Sequence, residues 1–241
     1  MRYIILAAGM GTRLHPFTKN LPKCMLNLGF NETIAQRMLR IIRKYDSLSE
    51  IIMVTGFKHQ DIEDSLTGCE FIFNPFYEVT NSIASLWFAR QFLNDSVTII
   101  NGDIVCSEKL MQKVIEYRGK AVVFVDGSVK EYGDYNVQVS DERVVVMSKL
   151  LDSYYGEYAG ICKLDREAIK ALSQEICRLV DEGNYNEWYE NALVQMILNS
   201  DFHLEYCDIS DYHWTEVDSV NHLRLAKELQ KKEWEKWINK K

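Results

Sequence analysis

Short apolar runs alternate with amphipathic stretches through the first half of the chain. The runs at 2–7, 50–55, 69–73, 97–101 and 121–125 are bounded by turn residues and read as strands, while 33–44, 60–65, 82–91 and 108–116 read as helices. Strand and helix in alternation form βαβ units, and five such strands predict an open α/β sheet covered on both faces. Sheets of this kind bind ligands beyond the carboxyl ends of their strands, which directs attention to the loops after Ala7, Thr55, Phe73 and Asn101.

The rhythm changes after Asp126. Residues 135–140 and 144–149 alternate around the turn Asp141-Glu142, predicting a hairpin that begins a second layer. Helices are predicted at 165–181 and 187–199, with strands at 157–163 and 202–208. From 221 to 241 the chain reads as a C-terminal helix with Leu225, Leu229, Trp234, Trp237 and Ile238 as its apolar positions. Its tryptophans and lysines suit a membrane surface, but the interleaved Glu228, Glu233 and Glu235 favour packing on the body of the protein or on a second subunit of a homodimer.

Only three prolines and no Ser/Gly-rich stretch offer a linker, so the 241 residues are expected to form one domain. Within it, the change of rhythm separates a first half, 1–126, from a second, 127–220, with 221–241 as the terminal helix. A net charge of −7 argues against nucleic acid, whose binding requires clustered Lys and Arg. Six scattered cysteines with no Cys-x-x-Cys pair speak against a zinc site or a disulfide framework and suit a reducing cytoplasm. The apolar run at 3–8 is too short for a signal peptide or a membrane span. Five histidines show no metal spacing, and no Ser-His-Asp or Cys-His set is evident.

The first strand leads into Leu6-Ala7-Ala8-Gly9-Met10-Gly11-Thr12-Arg13, a small-residue turn that a phosphate can approach closely. Arg13 and Lys23 add positive charge. Leu14 stands where a dinucleotide-binding turn would place its third glycine, and no Gly-Lys-Ser/Thr of a P-loop follows. The strand at 97–101 runs into Gly102-Asp103, which puts a carboxylate over the cleft; Asp218 is a second candidate.

The segment from Leu6 to Lys23 resembles the signature of the nucleotidyltransferases that make nucleotide sugars and CDP-alcohols, and the resemblance runs along nearly the whole chain. It implies a Rossmann-like (GT-A-like) three-layer αβα nucleotidyltransferase fold with a mostly parallel mixed sheet. It also implies that Leu6, Ala8, Gly9, Gly11, Thr12, Arg13 and Gly102 hold a nucleoside triphosphate, that Lys23 neutralises the reacting phosphates, and that Asp103 and Asp218 hold Mg²⁺. Two carboxylates completed by phosphate oxygens and water make a fitting octahedral site for that ion.

Asn74-x-x-Tyr77 followed by Asn81-Ser82-Ile83 resembles the CTP-using phosphocholine cytidylyltransferase branch, in which Asn81 and Ser82 would read cytosine. The acceptor side is rich in aromatics and acids. Trp188-Tyr189-Glu190 falls where the phosphocholine enzymes carry an aromatic pair and an acid, and Glu157-Tyr158 resembles the acceptor strand of the wider group. With Trp214, and with Lys149 on the acceptor phosphate, these residues suit a cationic head group. The function implied is transfer of CMP from CTP to a small phosphorylated metabolite such as phosphocholine, for surface polysaccharide or lipid decoration. Alternative acceptors are inositol phosphate, aminoethylphosphonate and glutamine phosphate; the alternative reaction is UTP- or dTTP-dependent sugar-1-phosphate nucleotidylyl transfer.

Overall fold

The computed structural model describes residues 1–128 and 135–239; the side chain of Trp237 and residues 240–241 of the expected terminal helix lie outside the described residues. Its frame begins as the periodicity predicts. Strands β1 (Arg2–Ala7), β2 (Glu50–Thr55), β3 (Glu70–Phe73) and β4 (Val97–Asn101) are parallel, with helices α1 (Ile34–Tyr45), α2 (His59–Ser65) and α3 (Ser82–Phe88) in the connections. Helix α1 starts where its sequence allows: Thr33 and Gln36 cap each other's backbone in a capping box.

Further elements are β5 (Ile104–Cys106), α4 (Glu108–Glu116), β6 (Ala121–Asp126), β7 (Asn136–Ser140), β8 (Arg143–Ser148), β9 (Gly156–Leu164), α5 (Arg166–Asp181), α6 (Tyr189–Ser200), β10 (Glu205–Asp208), β11 (Trp214–Glu216) and α7 (Val220–Ile238). Among the described residues, nine strands form one sheet in the order β3-β2-β1-β4-β9-β6-β10-β8-β7. Strand β9 lies antiparallel between β4 and β6, which makes the sheet mixed and joins the two halves of the sequence. The hairpin β7–β8 does not begin a second layer as the alternation predicts. It extends the same sheet, because β8 pairs with β10 and β7 reaches back to β9.

Alternation along β1 sorts side chains to the two faces. Ile4 joins the cluster under α3, α5 and α6, whereas Tyr3 and Ile5 join the cluster under α1 and α4. Helix α7 packs on the body through Leu223 and Ala226, which meet Leu14, Leu28, Ile34 and Val217 in a third cluster. Buried Gln230 accepts from Arg37, Arg37 pairs with Glu233, and Trp234 stacks on Phe30. Leu225 and Ile238, expected on the packed face, are exposed.

Among the described residues, strands β5 and β11 pair only with each other, and they were not expected. Three residues carry too little periodic signal to mark a strand. This small ribbon decides the geometry of the site.

Candidate active site

The cleft opens at the carboxyl ends of β1 and β4, a hollow of about 220 Å³. Leu6, Ala8, Gly9, Gly11 and Arg13 from the first turn face Asn101, Gly102 and Asp103 from the second. Gly11 has φ of +62°, a left-handed conformation that favours glycine, and its carbonyl accepts from Thr18 at 2.6 Å. Gly102 donates to the Leu6 carbonyl at 2.9 Å, and a Cβ there would lie 2.7 Å from that oxygen. The two strand ends can therefore touch, and Asp103 is delivered to the cleft beside the glycine turn. Thr12, expected among the nucleotide ligands, is exposed in the helical turn beyond Gly11 and does not line the cleft.

Register between β5 and β11 sets Glu216 opposite Ile104, and Val217 donates to the Asp103 carbonyl at 3.1 Å. This brings oxygens of Asp103, Glu216 and Asp218 within 4.8 Å of one another. Sequence reasoning missed Glu216. Its signal was its position two residues before Asp218, because alternate residues of an extended segment point to one side. Oδ1 of Asp103 is buried and lacks a hydrogen-bond partner. An orphaned carboxylate oxygen beside two further carboxylates is a donor set that fits a hard divalent cation such as Mg²⁺.

The basic groups meet the same carboxylates. Lys23 Nζ lies 2.7 Å from Asp103 Oδ2 and also bonds Asp218 Oδ1, while Arg13 reaches Asp218 Oδ2 at 2.8 Å. Burial alone would lower the Lys23 pKa, but Asp103 and Asp218 outweigh it and hold the ammonium well above its ordinary range. Lys23 is thus a fixed positive charge. Cys24 also lines the cleft, but burial, reinforced by Asp103, pushes its thiol up to about 12, so it is no nucleophile.

The loop after β3 forms another wall through Asn74, Tyr77, Thr80, Asn81, Ser82 and Ser85. Buried Asn74 organises it, donating to Thr80 and Ser85 and accepting from the Phe76 N–H. Asn81 caps α3, and Ser82 Oγ accepts from the Tyr189 N–H at 2.9 Å, fastening α3 to the start of α6. Ser82 keeps its hydroxyl proton to donate.

Of the acceptor-side candidates, Trp188 and Glu190 line the cleft. Tyr158 and Tyr189 do not: they are 3% and 0% exposed, their hydroxyls bond each other inside the core, and burial raises both pKa values. Trp214 donates its indole N–H to Asp126 at 2.8 Å, away from the cleft wall. Glu157, the second residue of β9, lies opposite Asp126 and Asn136, also outside the lining. Lys149, just past β8, is not itself lining but lies over the Trp188 ring, 3.4 Å from its centre. Glu190 is 2% exposed. Desolvation raises its carboxyl to about 8 against the smaller opposing effects of its backbone N–H and Lys149.

Characterised proteins resemble this chain over most of its length. CTP:phosphoglutamine cytidylyltransferase of Campylobacter jejuni is 24% identical, over 93% of this chain and 98% of its own length. Choline-phosphate cytidylyltransferase of Streptococcus pneumoniae is 25% identical, over 97% of this chain and all of its own. The solved structure of the CTP:phosphocholine cytidylyltransferase from Streptococcus pneumoniae superposes with a TM-score of 0.78 at 20% identity, over 95% of this chain and 98% of that one, and so shares the fold. The family model for the MobA-like NTP transferase domain matches residues 3–182, and the chain belongs to that family of nucleotidyltransferases.

Proposed function

We propose that this nucleotidyltransferase transfers CMP from CTP to a phosphate oxygen of a small phosphorylated metabolite and releases pyrophosphate. The observation that carries the reading is the direct pairing of Arg13 and Lys23 with Asp103 and Asp218, beside which Glu216 completes an acidic cluster. Two mutually repelling anions must come together for this reaction, and the cleft supplies fixed charge of both kinds. The small-residue turn of Gly9 and Gly11 leaves room for the triphosphate, with Arg13 and Lys23 on its oxygens.

The acceptor phosphate oxygen attacks the α-phosphorus of CTP in line. One P–O bond forms while the bond from the α-phosphorus to the bridging oxygen breaks, and the electron pair leaves on pyrophosphate. A phosphate monoester, with a second pKa of about 6, arrives ionised, so no general base is needed. Catalysis is then alignment plus neutralisation of charge. Asp103, Glu216 and Asp218 would hold Mg²⁺, which when bound supplies charge stabilisation to the reacting phosphates. Asn81 and Ser82 line the cleft and would offer an amide and a hydroxyl to the base; the two relatives matched over all or nearly all of their length, both named as cytidylyltransferases, support cytosine. Trp188 and Glu190 wall the acceptor's side, where an amine-bearing metabolite such as phosphocholine and an amino-acid-type phosphate are the candidates.

Pyrophosphate release, measured with CTP, UTP, dTTP and ATP against a panel of acceptors that includes hexose 1-phosphates, tests the proposal. CTP-dependent turnover is the expected result. Turnover confined to UTP or dTTP with a hexose 1-phosphate would replace it with sugar-nucleotide synthesis.

A further inference from the structure

Trp188 stands immediately before α6, its ring part of the cleft wall and stacked with Tyr135 at 5.5 Å and 23°. The Lys149 ammonium sits 3.4 Å from the centre of the same indole. The chain thus places a cation of its own on the aromatic face that a ligand's ammonium would use. A quaternary ammonium brought to that face would meet both the bulk of the lysine and its like charge.

The neighbouring acid points the same way. Glu190 lines the cleft, is 2% exposed, and has an Oε2 with no hydrogen-bond partner. With its carboxyl raised to about 8 by desolvation, it is mostly protonated at neutral pH, a hydrogen-bond donor rather than a counter-charge for a cation. At this wall the indole already carries Tyr135 and the Lys149 ammonium, and the acid beside it is held mostly protonated, so the wall is ill suited to a quaternary ammonium. An ammonium and a carboxylic O–H on either side of an indole suit the opposite ligand, one that brings oxygen acceptors with negative charge.

We propose that the acceptor carries a carboxylate at the end remote from its phosphate, received between Lys149 and Glu190 against Trp188, so that Lys149 determines acceptor specificity. This rests on the cytidylyl-transfer reading of the same cleft. It turns the acceptor from the choline type to the amino-acid type, which bears a carboxylate as well as an amine.

O-phosphoserine and phosphoethanolamine differ by one carboxylate and make the matched test, with phosphocholine as the quaternary ammonium. Each is titrated calorimetrically into the full-length protein with Mg²⁺ and a CTP analogue whose α,β-bridge is methylene, for the wild type and for Lys149→Met. The wild type should bind phosphoserine at least about 10-fold more tightly than the other two. Lys149→Met should lose about 10- to 100-fold for phosphoserine, the worth of one charge-assisted hydrogen bond, and move phosphoethanolamine by less than about threefold. Equal or tighter binding of phosphocholine by the wild type overturns the proposal, as does failure of all three to bind. A uniform loss over all three in the variant would put Lys149 on the acceptor phosphate and overturn it too. Binding of the CTP analogue, measured first, reports separately on the cytidylyl reading.

Discussion

Glu190→Gln isolates the energetic consequence of burying an acid in the cleft wall. Its carboxyl rises from 4.5 to about 8, chiefly by desolvation. Because the folded pKa lies above the unfolded one, the folded state holds a proton that the unfolded chain releases. Stability associated with this group is therefore fully present below about pH 4.5 and is lost as pH rises through about 8. At ~1.4 kcal/mol per pH unit the loss would approach ~5 kcal/mol. Relaxation and water entry reduce such penalties, and ~2 to 3 kcal/mol is the expected size. Glutamine keeps the shape and removes the titration. Urea unfolding of both proteins at pH 5 and pH 8.5 gives the comparison, since other titrating groups cancel in the difference. The variant should gain ~2 to 3 kcal/mol relative to wild type between the two pH values, the reverse of what loss of an ordinary ionised carboxylate produces. A difference that stays flat with pH would show that Glu190 ionises normally in the folded protein, and the donor role assigned to it would fall.

Two further substitutions separate the site from its surroundings. Asp103→Ala removes an acid from a loop rather than from the core, so turnover should fall by at least about 10³-fold while the far-ultraviolet circular dichroism stays unchanged; near-normal turnover would remove the metal assignment. Tyr158→Phe should cost ~1 to 3 kcal/mol by leaving the Tyr189 hydroxyl unpaired in the core, with the acceptor KM unmoved; a raised KM at unchanged stability would return Tyr158 to the acceptor site.

The parts of the site legible in the sequence are those whose chemistry and backbone requirement coincide in one short segment. Gly9, Gly11 and Arg13 are continuous with β1, and Gly102-Asp103 with β4, so locating the strand ends located the residues. Glu216 was missed for the converse reason. It reaches Asp103 only because β11 pairs with β5, two short strands joined by a contact distant in sequence. The same limit explains the misplaced hairpin: alternation reveals which residues of β7 and β8 face inward but not which strands they pair with, and β9 and β10 supply the neighbours.

Trp188-Tyr189-Glu190 shows where composition misleads about chemistry. Three adjacent residues with aromatic and acidic character read as a receptor for a cation, yet adjacency on a helix scatters them. Tyr189 enters the core and pairs with Tyr158, Trp188 precedes the first turn and lines the cleft, and Glu190 lines it too while almost wholly buried. Burial of that acid depends on what closes over it, and the lysine on the indole comes from beyond another strand. An acid read from sequence is negative by default, and an aromatic is an open face. In this fold burial pushes the Glu190 carboxyl up to about 8 and the Lys149 ammonium lies over the indole, so this wall is less negative and less open than its residues suggest when read along the chain.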